Sequence, residues 1–361
     1  METKLARISQ LSKENPDMVF TSLGHLINKE MLKSCHAQMD GTKAVGIDGI
    51  TKEEYGRSLE ENINALIERL KKKSYKPKPA KLVEIPKDNG KMRPLSIYCY
   101  EDKLVQEALR RILEAVFEPI FYDEMMGFRP NRGCHKAIRK LNLMLERKPT
   151  NYVLDADIKG FFQHLDHEWI IRFIGSRIKD PNIIRLVRRM LKAGIMNNYE
   201  FEETEEGSGQ GSVCSPVISC IYMHYVLVWW FKEVITPKLK GYAGLVVYAD
   251  DFVVTFHLRS AGWTVSLLLR KRNDLVAGRN IFKEICMCPS CFSLMFRNSD
   301  VIRKFLFPCR ICFLLGFIKK IQLAIDIFPF FTGSTKKFLR EIFNLLMKVF
   351  FFQPVCFQCF L

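Results

Sequence analysis

Acidic residues are in short supply in this chain. Asp and Glu number 39 against 55 Lys and Arg, a formal net charge of +16 at pH 7. That shortage calls for a polyanionic partner, nucleic acid in the simplest case and an acidic membrane surface otherwise. The first residues, METKLARISQLSKENPD, lack the apolar run that forms the core of a secretory signal. A reducing, cytoplasmic setting is therefore expected, and the 12 cysteines are expected to be free thiols or metal ligands rather than disulfides. Charge is absent altogether from Ser212 to Phe231 (SVCSPVISCIYMHYVLVWWF), a length that could span a bilayer. Pro216, further serines and His224 lie within it, and polar blocks flank it, so it reads as a buried helix with no membrane partner. The stretch from Gly207 to Gly211 (GSGQG) lacks the GxGxxG spacing and follows no strand pattern, which excludes a dinucleotide site.

At 361 residues and 48% hydrophobic content, the chain can build two or three domains with real cores. Leu59, Ile63, Leu66, Ile67 and Leu70 recur at helical spacing within residues 53–73, which end in three lysines suited to a helix C-terminus. The prolines of SYKPKPAKLVEIPKDNGKMRPLSI exclude helix, and Asp88-Asn89-Gly90 predicts a hairpin turn. Leu104, Val105, Ala108, Leu109, Ile112, Leu113 and Val116 predict a second amphipathic helix, NYVLDADI a strand, and residues 167–194 two helices split at Asp180-Pro181. Helices and strands alternate without an internal repeat, so the class is mixed, α/β or α+β.

Composition changes after Val254. Of 28 phenylalanines, 19 lie at or beyond Phe252, and residues 255–361 hold 16 Lys and Arg against 5 Asp and Glu. Most of the net positive charge therefore sits where periodicity is poorest.

The stretch VVYADDFVV sets Asp250 and Asp251 side by side between two strand-like runs, at an expected hairpin tip. Like charges held together repel unless something positive lies between them, and divalent cations prefer such oxygen ligands. In VLDADIKGFF, Asp157 ends an apolar run, Asp155 faces the same way by period two, and Gly160 allows a close backbone approach. If that strand lies beside the hairpin, Asp157 and Asp250 can share two Mg²⁺ ions roughly 3.5 to 4 Å apart, the arrangement that serves in-line phosphoryl transfer.

Six blocks then carry a resemblance: KAVGIDGIT, IPKDNGKMRPLSI, MGFRPNRGCHKAI, YVLDADIKGFFQHLDHEW, GSGQGSVCSPVISCIYMHYVL and YADDFVV. In order and spacing, over about residues 40–254, they resemble the successive blocks of bacterial group II intron-encoded reverse transcriptases. The resemblance implies an α+β right-hand polymerase with fingers and palm, RNA-templated DNA synthesis from a DNA primer, and assistance to splicing and mobility of a group II intron RNA. It assigns the metal-binding and catalytic carboxylates to Asp157, Asp250 and Asp251. It makes Phe162 an aromatic gate that selects dNTPs over rNTPs, Lys87 and Arg93 the grip on the triphosphate, and Gln210 the residue against the incoming nucleotide. Arg129 and Arg132 are expected at template phosphates.

The departures are specific. The family pattern carries Pro before the Gln of this loop and Asp after GFF, where this chain has Gly209 and Gln163. Residues 1–75 are assigned to an N-terminal extension and first fingers block, 76–254 to fingers and palm, and 255–361 to an aberrant, degenerate tail from a disrupted reading frame, with a possible thumb remnant. Within that tail Cys288-x₂-Cys291 and Cys309-x₂-Cys312, 17 residues apart, meet the spacing of a four-cysteine Zn²⁺ site, with reduced cysteines as the plainer alternative. The expected function is RNA-directed DNA polymerase; the alternatives are a non-catalytic intron-RNA-binding protein and a decayed fragment.

Overall fold

Four helices precede the first strands in the computed structural model, which describes residues 2–86, 92–158, 160–197, 200–276 and 286–288. All of these belong to the first of the chain's two units, Met1–Ser299. The helices are α1 (Glu2–Glu14), α2 (Lys29–Gln38), α3 (Lys52–Arg57) and α4 (Leu59–Lys71). Where one helix was expected over 53–73, the chain makes two. Thr51 caps α3 through a reciprocal box with Glu54, the backbone turns at Ser58 after Gly56, and the Asn62 side chain donates to the Tyr55 carbonyl at 2.9 Å. Ile63 and Leu66 are buried and Leu59, Ile67 and Leu70 pack partly against the core.

Strands β1 (Ala80–Pro86) and β2 (Met92–Ile97) pair antiparallel as the expected hairpin. The turn Asp88-Asn89-Gly90 and Lys87 lie outside the described residues. Helix α5 (Tyr100–Phe117) follows and is the spine of the core. All seven residues of its predicted apolar stripe, Leu104 to Val116, are completely buried, each large one contributing about 1.5–3 kcal/mol. Next come α6 (Cys134–Arg147), β3 (Tyr152–Asp157), α7 (His167–Gly175), α8 (Pro181–Leu191) and the short strands β4 (Ile195–Asn197) and β5 (Glu200–Glu202). Helix α9 (Ser215–Met223) is buried along nearly its whole length and continues to Ile235 with a wider, π-type winding. Among the described residues no helix is long and apolar enough to cross a membrane. The last elements are β6 (Ala243–Tyr248), β7 (Asp251–Phe256), α10 (Arg259–Val276) and β8 (Cys286–Cys288).

Two four-stranded sheets result among the described residues. One runs β2-β1-β4-β5, with β1 and β4 parallel; the other runs β6-β7-β3-β8, all antiparallel. The expected mixed class is the one observed. Val246, Val247, Phe252, Val253 and Val254 are buried in the second sheet, so alternate residues are covered on both of its faces.

Asp180 ties the N-terminal part to this frame. Its carboxylate caps α8 through the Asn182 N–H at 2.8 Å and also accepts from the backbone N–H groups of Leu23 at 2.6 Å and Gly24 at 2.7 Å. Burial alone would raise its pKa, but these N–H groups outweigh burial and hold it below the usual carboxylate range. Asp180→Ala is expected to cost about 2–4 kcal/mol, from the lost cap and two stranded N–H groups. Because the folded pKa is depressed, the contribution is full at neutral pH and fades as pH falls from the unfolded Asp value through the folded one. Urea melts at pH 7 and pH 3 check this: the penalty should shrink in acid.

Candidate active site

The register of the second sheet places the three aspartates. Asp157, the last residue of β3, lies opposite Asp251, the first of β7, and Asp251 lies opposite Tyr248 across the hairpin. Ala249 and Asp250 are thus the two-residue turn, and Asp251 belongs to the strand rather than the tip. Ala249 has φ +58°, the left-handed value that tight hairpin turns require at their first central position. The Ile158 N–H donates to the Asp250 carbonyl at 3.3 Å and ties the turn to the end of β3.

Each of the three carboxylates is half-buried. Burial pushes the Asp251 carboxyl up to about 6, and the charges of Asp250, Asp157 and Asp155 add to the rise. Among the described residues no three His, Cys, Asp or Glu side chains close into a metal cluster; like charges with nothing positive between them stay apart. The donor set nonetheless suits a hard divalent cation: carboxylate oxygens only, carried on adjoining strand ends and destabilised by their own repulsion. Mg²⁺ is therefore expected to raise the melting temperature of the wild-type chain, by about 2.7 kcal/mol of stability at a hundredfold excess over Kd. Calorimetry should show that shift lost in Asp157→Asn/Asp250→Asn; an equal shift in the variant would place the cation elsewhere.

A second segment braces the turn. The Val247 N–H donates to the Glu124 carbonyl at 2.9 Å and the Met126 N–H to the Val247 carbonyl at 2.8 Å, so residues 124–126 run along the edge of β6. Gly127 then abuts the turn itself: a Cβ there would stand 2.3 Å from the Ala249 backbone nitrogen. The next residue, Phe128, has φ +57° and is 49% exposed, and its ring meets Phe162 edge-on at 6.0 Å between centroids. Gly127 and Phe128 lie in the GFRPNRG block, yet no local pattern marks either as a neighbour of Ala249 or Phe162.

Phe162 follows Gly160, whose φ of +62° turns the chain out of β3. The nearest atoms to a Cβ at 160 would be side-chain atoms of His164 and Gln163, at 3.1 Å or more, so within the fold its glycine serves the left-handed turn. Half-buried, Phe162 also touches Phe161 at 5.4 Å, and its carbonyl accepts from the Ser208 N–H at 2.7 Å. The Gly207 N–H donates to the Leu165 carbonyl at 2.7 Å. The loop 207–211 thus docks against the Phe162 segment on one side and on β2 on the other. There the Ser96 N–H donates to the Gln210 carbonyl at 2.6 Å, and Arg93 Nε donates to Gln210 Oε1 at 2.9 Å. Arg93, Phe162 and Gln210, far apart in sequence, are brought around one loop. Phe162 and Gln210 line a common pocket of about 190 Å³ together with Ser96, Tyr98 and Gly209. Gly209 is explained here as well: a Cβ in its place would stand 2.1 Å from the Tyr98 hydroxyl.

The remaining sites divide. Arg129 is 7% exposed, pairs with Glu118 at 2.9 Å, donates to the carbonyls of Tyr122 and Met125, and stacks over the Phe121 ring. The template contact expected of Arg129 is corrected accordingly: its donors are consumed inside the fold, where they hold the 118–125 segment. Arg132 is partly exposed and pairs with Asp123 at 2.5 Å. Cys291, Cys309 and Cys312 lie outside the described residues, and Cys288 enters only as the backbone end of β8. The expected thumb remnant and most of the 255–361 tail, expected to come from a disrupted reading frame, lie outside them too.

Comparison with known proteins identifies the family. The family model described as reverse transcriptase (RNA-dependent DNA polymerase) matches residues 85–275, from the end of β1 through the β6-β7 hairpin and into α10, past Val254. The group II intron-encoded protein LtrA of Lactococcus lactis subsp. cremoris is 38% identical over 222 residues, 61% of this chain and 37% of that protein. An uncharacterized 91 kDa protein in the cob intron of Schizosaccharomyces pombe is 32% identical over 61% of this chain and 28% of its own length. Protein YkfC of Escherichia coli is 33% identical over 51% of this chain and 49% of its own. The chain thus spans between about a quarter and a half of the length of these three relatives. Since the family model covers more than half of the chain and the aspartates, Phe162 and Gln210 fall within the match, this protein belongs to the reverse transcriptase (RNA-dependent DNA polymerase) family and is similar to group II intron-encoded proteins.

Proposed function

We propose that this chain is an RNA-directed DNA polymerase of the group II intron type, which adds dNTPs to a primer 3′-end on an RNA template. The observation that supports it best is the placement of Asp157 opposite Asp251, with Asp250 in the adjoining turn, on a sheet braced by the segment that also carries Phe128 to Phe162. In this reading the β2-β1-β4-β5 sheet belongs to the fingers and the β6-β7-β3-β8 sheet to the palm.

Asp157 and Asp250 would hold two Mg²⁺ ions, with Asp251 beside them; when bound, the ions would make the primer 3′-hydroxyl easier to deprotonate and would neutralise charge on the leaving pyrophosphate. The protein's own part is positioning. Arg93 offers a planar fork to the triphosphate, and its bond to Gln210 links that grip to the loop beneath the nucleotide. Lys87, outside the described residues, is assigned the same task. Phe162, held between Phe161 and Phe128, is the ring that a ribose 2′-hydroxyl would strike. Arg132 is the remaining candidate for a template phosphate. Such alignment supplies a large part of the rate in a reaction whose chemistry the metal carries.

A second reading is an intron-RNA-binding protein without polymerase activity. The excess of 16 basic over 5 acidic residues in 255–361, beyond most of the family match, favours it. Primer extension on an RNA template with Mg²⁺, run beside RNA binding, separates the two. Incorporation abolished by Asp250→Asn supports the polymerase; RNA binding from a cooperatively folded chain with no incorporation supports the alternative.

A further inference from the structure

Gly209 is held from two sides. Its carbonyl accepts from the Ser212 N–H and from Ser215 Oγ, each at 3.1 Å, which pins it to the start of α9. Its Cα faces the Tyr98 hydroxyl, which stands 2.1 Å from where a Cβ would lie; the next nearest atoms are Ser96 Oγ at 3.1 Å and Ser96 Cβ at 3.2 Å. No ring carbon of Tyr98 is therefore nearer than 3.2 Å, and the hydroxyl oxygen alone makes the approach too close for a side chain. Tyr98 follows directly on β2 and is 5% exposed, so the ring has little freedom to retreat. Open space adjoins it in the pocket that it lines with Phe162 and Gln210. Two residues on, Gly211 meshes with the same strand: a Cβ there would stand 2.4 Å from the Ser96 carbonyl oxygen.

We infer that Tyr98 is a positioning residue for Gln210: its hydroxyl occupies the space of a Cβ at 209, sets how closely the loop 207–211 settles on β2, and so aims the Gln210 side chain. The inference rests on the proposed reading of Gln210 as nucleotide-facing. A methyl group at 209 must either lift the loop or push the Tyr98 ring into the pocket, and both responses reach Gln210. Removing the hydroxyl opens the space that the methyl group needs.

The test is a double-mutant cycle on the full chain, with the dNTP KM and kcat of primer extension and the melting temperature measured for each protein. Gly209→Ala is expected to raise KM about tenfold, with a smaller change in kcat, since a misplacement of about 1 Å can cost on the order of 10²-fold. Tyr98→Phe should raise KM a few-fold. Tyr98→Phe/Gly209→Ala should recover most of the loss, because the methyl group then fills the place of the hydroxyl. Additive losses in KM would overturn the inference. Rescue in the melting temperature, with KM unmoved in every variant, would overturn the reading of Gln210 and this inference with it. Should Gly209→Ala fail to fold, Tyr98→Phe in a Gln210→Ala background serves instead: no further rise in KM supports action through Gln210, and a full additional rise refutes it.

Discussion

Asp250→Asn is expected to abolish primer extension, by about 10³-fold or more, while the chain melts at an unchanged or higher temperature. The loss follows from chemistry. Asn is close in shape but offers one neutral carbonyl in place of an anionic oxygen pair, and metal-centred charge stabilisation is worth several kcal/mol at about 1.4 kcal/mol per decade of rate. The stability follows from electrostatics. Asp250 is among the charges that raise the Asp251 carboxyl to about 6, after burial itself, so neutralising it removes repulsion from the cation-free fold. RNA binding should survive, because removing a negative charge does not weaken the hold on a polyanion. Parallel measurement of extension, melting and RNA binding checks all three. Residual activity within tenfold of wild type would exclude Asp250 from the chemistry.

Gly127→Ala should have the next largest effect. The added Cβ would meet the Ala249 nitrogen at 2.3 Å, the Ala249 Cα at 3.0 Å and the Tyr248 carbonyl carbon at 3.1 Å, all backbone atoms that cannot rotate away. Overpacking of this kind costs about 1–3 kcal/mol, and the part that yields is the turn carrying Asp250. A fall in kcat on the order of 10²-fold is expected from such misplacement. Gly133→Ala is the matched control: its backbone is extended and no atom lies within 4 Å of the new Cβ, so it should stay within about 0.5 kcal/mol. A normal kcat in Gly127→Ala would show that the turn does not depend on the 124–127 brace.

Much of the local structure was legible because it is written in local periodicity. The apolar stripe of α5, the strand at YVLDAD and the helix break at Asp180-Pro181 all come from spacings within a few residues. The single helix read over 53–73 failed for a local reason as well: Gly56 and Ser58 lie just before the stripe that starts at Leu59, and the stripe alone does not register them. Arg129 failed for a tertiary reason. As an arginine of the GFRPNRG block it was expected at a template phosphate, but Glu118 and the carbonyls of the preceding turn enclose it. Burying a guanidinium is tolerable only where its donors are satisfied, and the partners become visible only after folding.

The sequence by itself determined the chemistry on offer: three aspartates at strand ends, an aromatic five residues after the first, and a glycine-flanked glutamine, in an order that resembles one polymerase family. Only the tertiary structure decided which backbones meet. Gly127 lies against Ala249, Gly209 against Tyr98 and Gly211 against Ser96, and the register of β3 with β7 brings Asp157 across from Asp251. The physical reason is that hydrophobic periodicity encodes which face of an element is buried, whereas a close approach between distant segments is set by the absence of a single Cβ, which carries no period to read.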